Sequence, residues 1–188
     1  MVTSIPDFDH NLVLPPHTGD PRSASEVSPY PCTTLDLCRK FSTSPERKAI
    51  LGRFLDFRDR LRSEGLTQGF QWLDGSFMED IEAQESRAPR DLDVVTFFWG
   101  YDFDFQKALG LAFPEFSNSK LSKASFSLDH YPVDAGFSPA FTIESTRYWS
   151  QLFSHNRKGV WKGMLKIDLN TTADDLAARS ELNTSPLS

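Results

Sequence analysis

Asp91 and Asp93 stand one residue apart at the head of an apolar run, Leu92 to Trp99 (LDVVTFFW). In a β-strand, residues i and i+2 share a face. The two carboxylates therefore project side by side while Leu92 and Val94 turn toward a core. Carboxylates held that close repel, and one takes up a proton unless a cation sits between them. A divalent ion resolves the conflict, and Mg²⁺ (or Mn²⁺) suits carboxylate oxygens and substrate phosphates. Such an ion stabilises charge building up on a phosphoryl group during an in-line displacement. Upstream, the run GFQWL (residues 69–73) ends in Asp74-Gly75-Ser76. Gly75 removes a side chain where backbone has to approach a phosphate, and Ser76 offers that phosphate a hydroxyl and an N–H.

A second chemical signal lies further on. Between Glu144 and Asp168 there is no acidic residue, yet Arg147, Arg157, Lys158, Lys162 and Lys166 all fall there. An unopposed basic run in an acidic chain points to a phosphate partner. Arg157 and Lys162 flank Gly159, where a short turn lets side chains converge, and they are the residues expected on the phosphates of a nucleotide. His155 reads as structural.

Strand, Gly-Ser, connector and then Asp-x-Asp opening an apolar strand is a more selective pattern than any of its parts. Asp74-Gly75-Ser76 with Asp91-Leu92-Asp93-Val94 resembles the nucleotidyltransferase superfamily related to DNA polymerase beta. That resemblance implies a third carboxylate from a neighbouring strand. Asp129 and Asp134 are the candidates, with Asp102 and Asp104 too close behind the second strand. Asp134 in HYPVDAGF, with apolar or small neighbours, is the choice, giving a catalytic and metal-binding trio of Asp91, Asp93 and Asp134. IPDFD, LPP, QWLDGSF, DLDVV and YWSQLFSHNRKGVWKG also resemble a small bacterial family of uncharacterised nucleotidyltransferase-like proteins. Such minimal families are similar to components of toxin–antitoxin systems and of Hailong-type anti-phage defence.

The resemblance implies transfer of a nucleoside monophosphate from an NTP or dNTP to a hydroxyl, with short oligonucleotides as a product in phage defence and a cognate effector protein as partner. Two other readings stand beside it. One is modification of a protein or tRNA by a toxin–antitoxin enzyme; the other is an inactive nucleotide-binding partner module. In the defence group priming is attributed to a tyrosine near the C-terminus, whereas the last tyrosine here is Tyr148.

These residues need elements to hold them. Ser44 as N-cap, Pro45 at the first position and Gly65 at the end delimit a helix. Within it Ile50, Leu51, Phe54, Leu55 and Leu61 make the buried stripe, and Arg47, Arg53, Arg60 and Arg62 are expected toward solvent. A shorter helix follows Thr33 or Thr34. Strands are expected at 69–73, 92–99, 125–137 (long or bulged because of Pro132) and 160–169, with a helix at 145–153. The fold class is α+β, a small mixed sheet with helices packed on one side. Residues 1–43, holding six of the 12 prolines by position 31, form an arm with Ile5, Phe8, Leu12 and Leu14 to pin it down. Residues 44–169 form the nucleotidyltransferase-like domain, and 170–188 a polar tail with one helical turn at Thr172.

The 188 residues suit one core-bearing domain. The formal charge of −6 excludes a protein that coats nucleic acid. Neither a signal-like start nor a run of about 20 apolar residues occurs, which predicts a cytoplasmic location without membrane insertion. Cys32 and Cys38 read as reduced thiols.

Overall fold

The computed structural model describes residues 5–184. β1 (Tyr30–Pro31) closes the N-terminal arm. α1 (Thr34–Phe41) begins at a capping box between Thr33 and Asp36. α2 (Pro45–Ser63) is capped by the Ser44 side chain, and Gly65 at φ +85° turns the chain out of it. β2 (Gly69–Asp74), α3 (Ile81–Glu85) and β3 (Leu92–Phe98) follow. Then come α4 (Phe103–Ala112), α5 (Ser119–Phe126) and β4 (Leu128–Asp134). α6 (Pro139–Phe153), β5 (Leu165–Asp168) and α7 (Thr172–Thr184) complete the chain.

The strands make one mixed sheet in the order β1-β5-β2-β3-β4. β2 runs antiparallel to both its neighbours, while β1–β5 and β3–β4 are parallel. This is the expected α+β architecture. Alternation along the strands divides the apolar side chains between two faces. Leu73, Val94, Phe98, Leu128, Leu165 and Ile167 join the main core with residues of α1, α2, α4 and α7. Trp72, Val95, Phe97 and Val133 face the other way, onto Trp149 and Phe153 of α6. One helix thus covers part of the second face, so the helices are not confined to one side of the sheet, and it leaves one end of that face open.

Several expectations change in detail, among them the helix at 145–153, which begins at Pro139, and the strand at 160–169, which spans Leu165–Asp168. The strand expected over 125–137 is shorter, because Ser119–Phe126 is helical. Pro132 lies in β4, an edge strand where the missing N–H is tolerated. Arg47 is buried, not solvated. The helical turn at Thr172 grows into the 13-residue α7, whose Asp175 and Ala178 are buried; 185–188 lie outside the described residues. The arm is pinned as expected, with Ile5 and Leu14 buried and Phe8 packed edge-on to Phe41.

Candidate active site

Strand register brings the acidic residues together. Asp74 at the end of β2 pairs with Asp93 of β3, and Asp93 pairs with Asp129 of β4. Directly paired residues share a face with Cβ atoms about 5 Å apart, so three strands present a row of carboxylates. Asp91 precedes Asp93 by two and lies on the same side. All four line one cleft of about 570 Å³ at the open end of the α6-covered face, together with Gly75 and Ser76.

Asp134 is not part of it. It stands five positions after Asp129 along β4, and an odd interval puts the two on opposite faces. Asp134 accepts a 2.8 Å hydrogen bond from Gln106 Nε2 of α4 and a 2.9 Å bond from Gly136 N–H. Its role is to hold the turn after the strand. Asp129, not Asp134, is the β4 carboxylate that lines the cleft.

Gly75 is required for a different reason from the one expected. Its φ of +87° and ψ of −172° lie in a region open essentially to glycine alone. A Cβ there would stand 2.8 Å from both Cγ and Oδ2 of Asp93. The glycine therefore lets the chain pass the Asp93 carboxylate and enter a short 3-10 turn, Ser76–Met78. Arg47 holds that turn from behind. It donates to Phe77 O at 2.8 Å and Glu79 O at 2.7 Å, and pairs with Glu82 at 2.7 Å.

Lys162 approaches from the acidic side, not across the cleft from it. Its ammonium is buried, 3.1 Å from Gly75 O, 3.1 Å from Glu79 Oε1 and 2.9 Å from Asp74 Oδ1. Burial pulls this lysine down, but Asp74 and Glu79 outweigh it and hold it above its ordinary value. With its donors so engaged, Lys162 anchors the Gly75 turn and is not placed as a phosphate ligand. The Asp74 Oδ1 contact is an ion pair without hydrogen-bond geometry. Among the described residues this atom is the buried side-chain oxygen left without a hydrogen-bond partner. Burial pushes Asp74 up to about 7, against the pull of Lys162. Asp93 is raised to about 6 by burial first, and then by Asp91 and Asp129.

Lys123, at the C-terminal end of α5, answers this crowding. Its ammonium lies 2.5 Å from Asp91 Oδ2 and 4.0 Å from Asp129 Oδ2, on a side chain 53% exposed. The Lys123 ammonium thus lies in the gap between Asp91 and Asp129. Among the described residues no three His, Cys, Asp or Glu side chains converge closely enough to hold a metal as they stand. The donor set nevertheless suits Mg²⁺: the carboxylate oxygens of Asp91, Asp93 and Asp129 surround a gap that the Lys123 ammonium already holds. Filling it requires Lys123 to swing out and the aspartates to rotate inward.

The rim is basic. Lys158 pairs with Glu85 at 3.1 Å. Arg90 and Arg157 line the cleft, and neither has an ion pair among the described residues. Arg157 therefore sits where a phosphate contact is possible, and Arg90 joins it. Sequence reasoning missed Arg47, Arg90 and Lys123. Two of them carried a local signal: Arg90 directly precedes Asp91, and Arg47 stands at helical spacing from Ile50, Leu51 and Phe54 of the buried stripe.

A family model described as "Family of unknown function (DUF6932)" matches residues 6–168. No curated protein and no solved structure matches the chain.

Proposed function

The chain belongs to the DUF6932 family, and from the geometry of its cleft we propose a nucleotidyltransferase that moves a nucleoside monophosphate from an NTP or dNTP to a hydroxyl. The observation that carries this reading is the register Asp93↔Asp129, with Asp91 two residues before Asp93. It sets three carboxylates beside the Gly75-Ser76 turn. Asp91, Asp93 and Asp129 would hold Mg²⁺ or Mn²⁺, which when bound supplies charge stabilisation to the reacting phosphoryl group.

The remaining roles belong to the chain itself. The acceptor oxygen attacks the α-phosphorus, the bond to the leaving pyrophosphate breaks, and Asp129 takes the acceptor proton. Arg90 and Arg157 face the triphosphate from the rim. Gly75, Lys162 and Arg47 fix the turn that carries Ser76. No helix among the described residues is long and apolar enough to cross a membrane, and the reading places the protein in the cytoplasm with its nucleotide substrates. Incubation with each α-labelled nucleotide and Mg²⁺ or Mn²⁺, with pyrophosphate release followed in parallel, tests it. Labelled product appears if the reading holds, and no turnover by folded protein with either ion rejects it.

One observation favours a second reading, a nucleotide-binding module without transfer. Lys123 bridging Asp91 and Asp129 is what a cleft that dispenses with metal would show. In that case nucleotide affinity is the same with and without Mn²⁺.

A further inference from the structure

Beside the acidic cleft lies a second groove of about 500 Å³, built by the outer face of α6 and the segment after it. Arg147, Tyr148 and Gln151 line it, and it shares Leu152, His155 and Arg157 with the cleft. Three features of this groove go together.

The first is charge. The chain carries a net −6, yet two guanidinium groups and no carboxylate line the groove. Arg147 pairs with Glu144 at 2.9 Å, but both side chains are about two-thirds exposed, and such pairs hold little. The second is an aromatic face. Tyr148 is 53% exposed, and its ring is braced edge-on by Trp149 at 5.0 Å between centroids. Trp149 is itself anchored in the core beneath α6. The third is continuity. A ligand in the groove that passes Arg157 enters the cleft containing Asp129.

We propose that this groove binds single-stranded nucleic acid and delivers its terminal hydroxyl to the acidic cleft. A strand offers what these groups take: a π-face for Tyr148 and phosphates for Arg147 and Arg157. Stacking and phosphate contacts carry no base identity, and Gln151 and Asn156 are the amides in the groove placed to add a base preference. The inference rests on the transferase reading and deepens it, since it makes the acceptor an oligonucleotide and not a protein side chain.

Fluorescence anisotropy of a labelled hexanucleotide, as DNA and as RNA, tests this in EDTA, where transfer cannot proceed. The proteins are wild type, Tyr148→Ala, Arg147→Ala and Asp93→Asn, each checked for folding by circular dichroism. Tyr148→Ala is expected to weaken binding about tenfold, within the range for loss of one base–aromatic stack. Arg147→Ala lowers the slope of log affinity against log salt by about 0.7, the contribution of one phosphate contact on a single strand. Asp93→Asn binds at least as well as wild type. Absence of binding by wild type, wild-type affinity in both groove variants, or equal competition by polyglutamate overturns the groove. Binding that behaves as expected in a protein that transfers no nucleotide leaves the groove standing and sinks the transferase reading alone. Transfer to a non-nucleic-acid hydroxyl, with no oligonucleotide binding, does the reverse.

Discussion

Asp93 has an aspartate opposite it on each neighbouring strand, Asp74 and Asp129, and that position makes its charge costly. Burial, Asp91 and Asp129 raise its carboxyl from 3.8 to about 6. A carboxyl whose folded pKa is raised binds its proton more tightly in the native state. The stability it contributes is complete below its unfolded pKa and is lost as pH rises through about 6. The loss is worth roughly 2–3 kcal/mol at 1.36 kcal/mol per pKa unit. Metal-free Asp93→Asn is therefore expected to melt above wild type at pH 8 and together with it near pH 4, as calorimetry would show. Equal melting at pH 8 would mean the carboxylates are not crowded. Lys123 relieves the same crowding through Asp91 and Asp129. Lys123→Met removes a cation that competes with metal, so Mn²⁺ affinity measured by electron paramagnetic resonance should rise severalfold. A fall would instead make Lys123 a partner of the metal site. Asp91, Asp93 and Gly75 were legible in the sequence because each belongs to a local pattern. The third carboxylate was not, because the choice depends on strand parity. Asp129 and Asp134 lie five residues apart, and one step of register exchanges the faces of every side chain on the strand.

At the scale of elements, the Gly75 turn is held by a side chain from a helix remote in sequence. Arg47 spans α2 to the 3-10 turn and α3 through Phe77 O, Glu79 O and Glu82. Its removal strips donors from two carbonyls and leaves Glu82 without its partner. Arg47→Met should cost about 3 kcal/mol, since two buried carbonyls lose their donors at about 1–3 kcal/mol each, and should weaken metal binding with it. A stable variant with unchanged metal affinity would show that the turn supports itself. Helical spacing does separate Arg47 from Arg53 and Arg60, since it stands three, four and seven positions before Ile50, Leu51 and Phe54 on the buried stripe; what no local pattern shows is the partner that its buried charge meets. α2 itself was readable from its caps, as were β2 and β3 from their apolar runs. α4 and α5 were not. Aromatic-rich FFWGYDFDF reads as strand and loop, and Asp102 as cap of α4 is clear only once the helix is seen.

Across the whole molecule, buried polar contacts connect the C-terminal helix to the strand that carries Asp129. Asp175 of α7 pairs with Arg58 at 3.0 Å. Arg58 donates to Gln71, Gln71 to Thr96, and Thr96 meets the ring of His130 at 2.8 Å. His130 follows Asp129 directly in β4. Asp175→Ala leaves Arg58 charged and buried, which should cost roughly 3–5 kcal/mol; denaturant titration reads it. A loss below 1 kcal/mol would show α7 to be an appendage, as its polar sequence suggested.

The proposed transferase site depends on which β4 carboxylate completes it. Metal-dependent pyrophosphate release should be compared for wild type, Asp129→Asn and Asp134→Asn, all folded. With Asp129 beside Asp93, and Asp134 on the opposite face bonded to Gln106, Asp134→Asn is expected to retain activity. Asp129→Asn should lose it by about 10²–10³, as for loss of one electrostatic stabiliser. Activity that survives in Asp129→Asn and vanishes in Asp134→Asn would contradict the site described here.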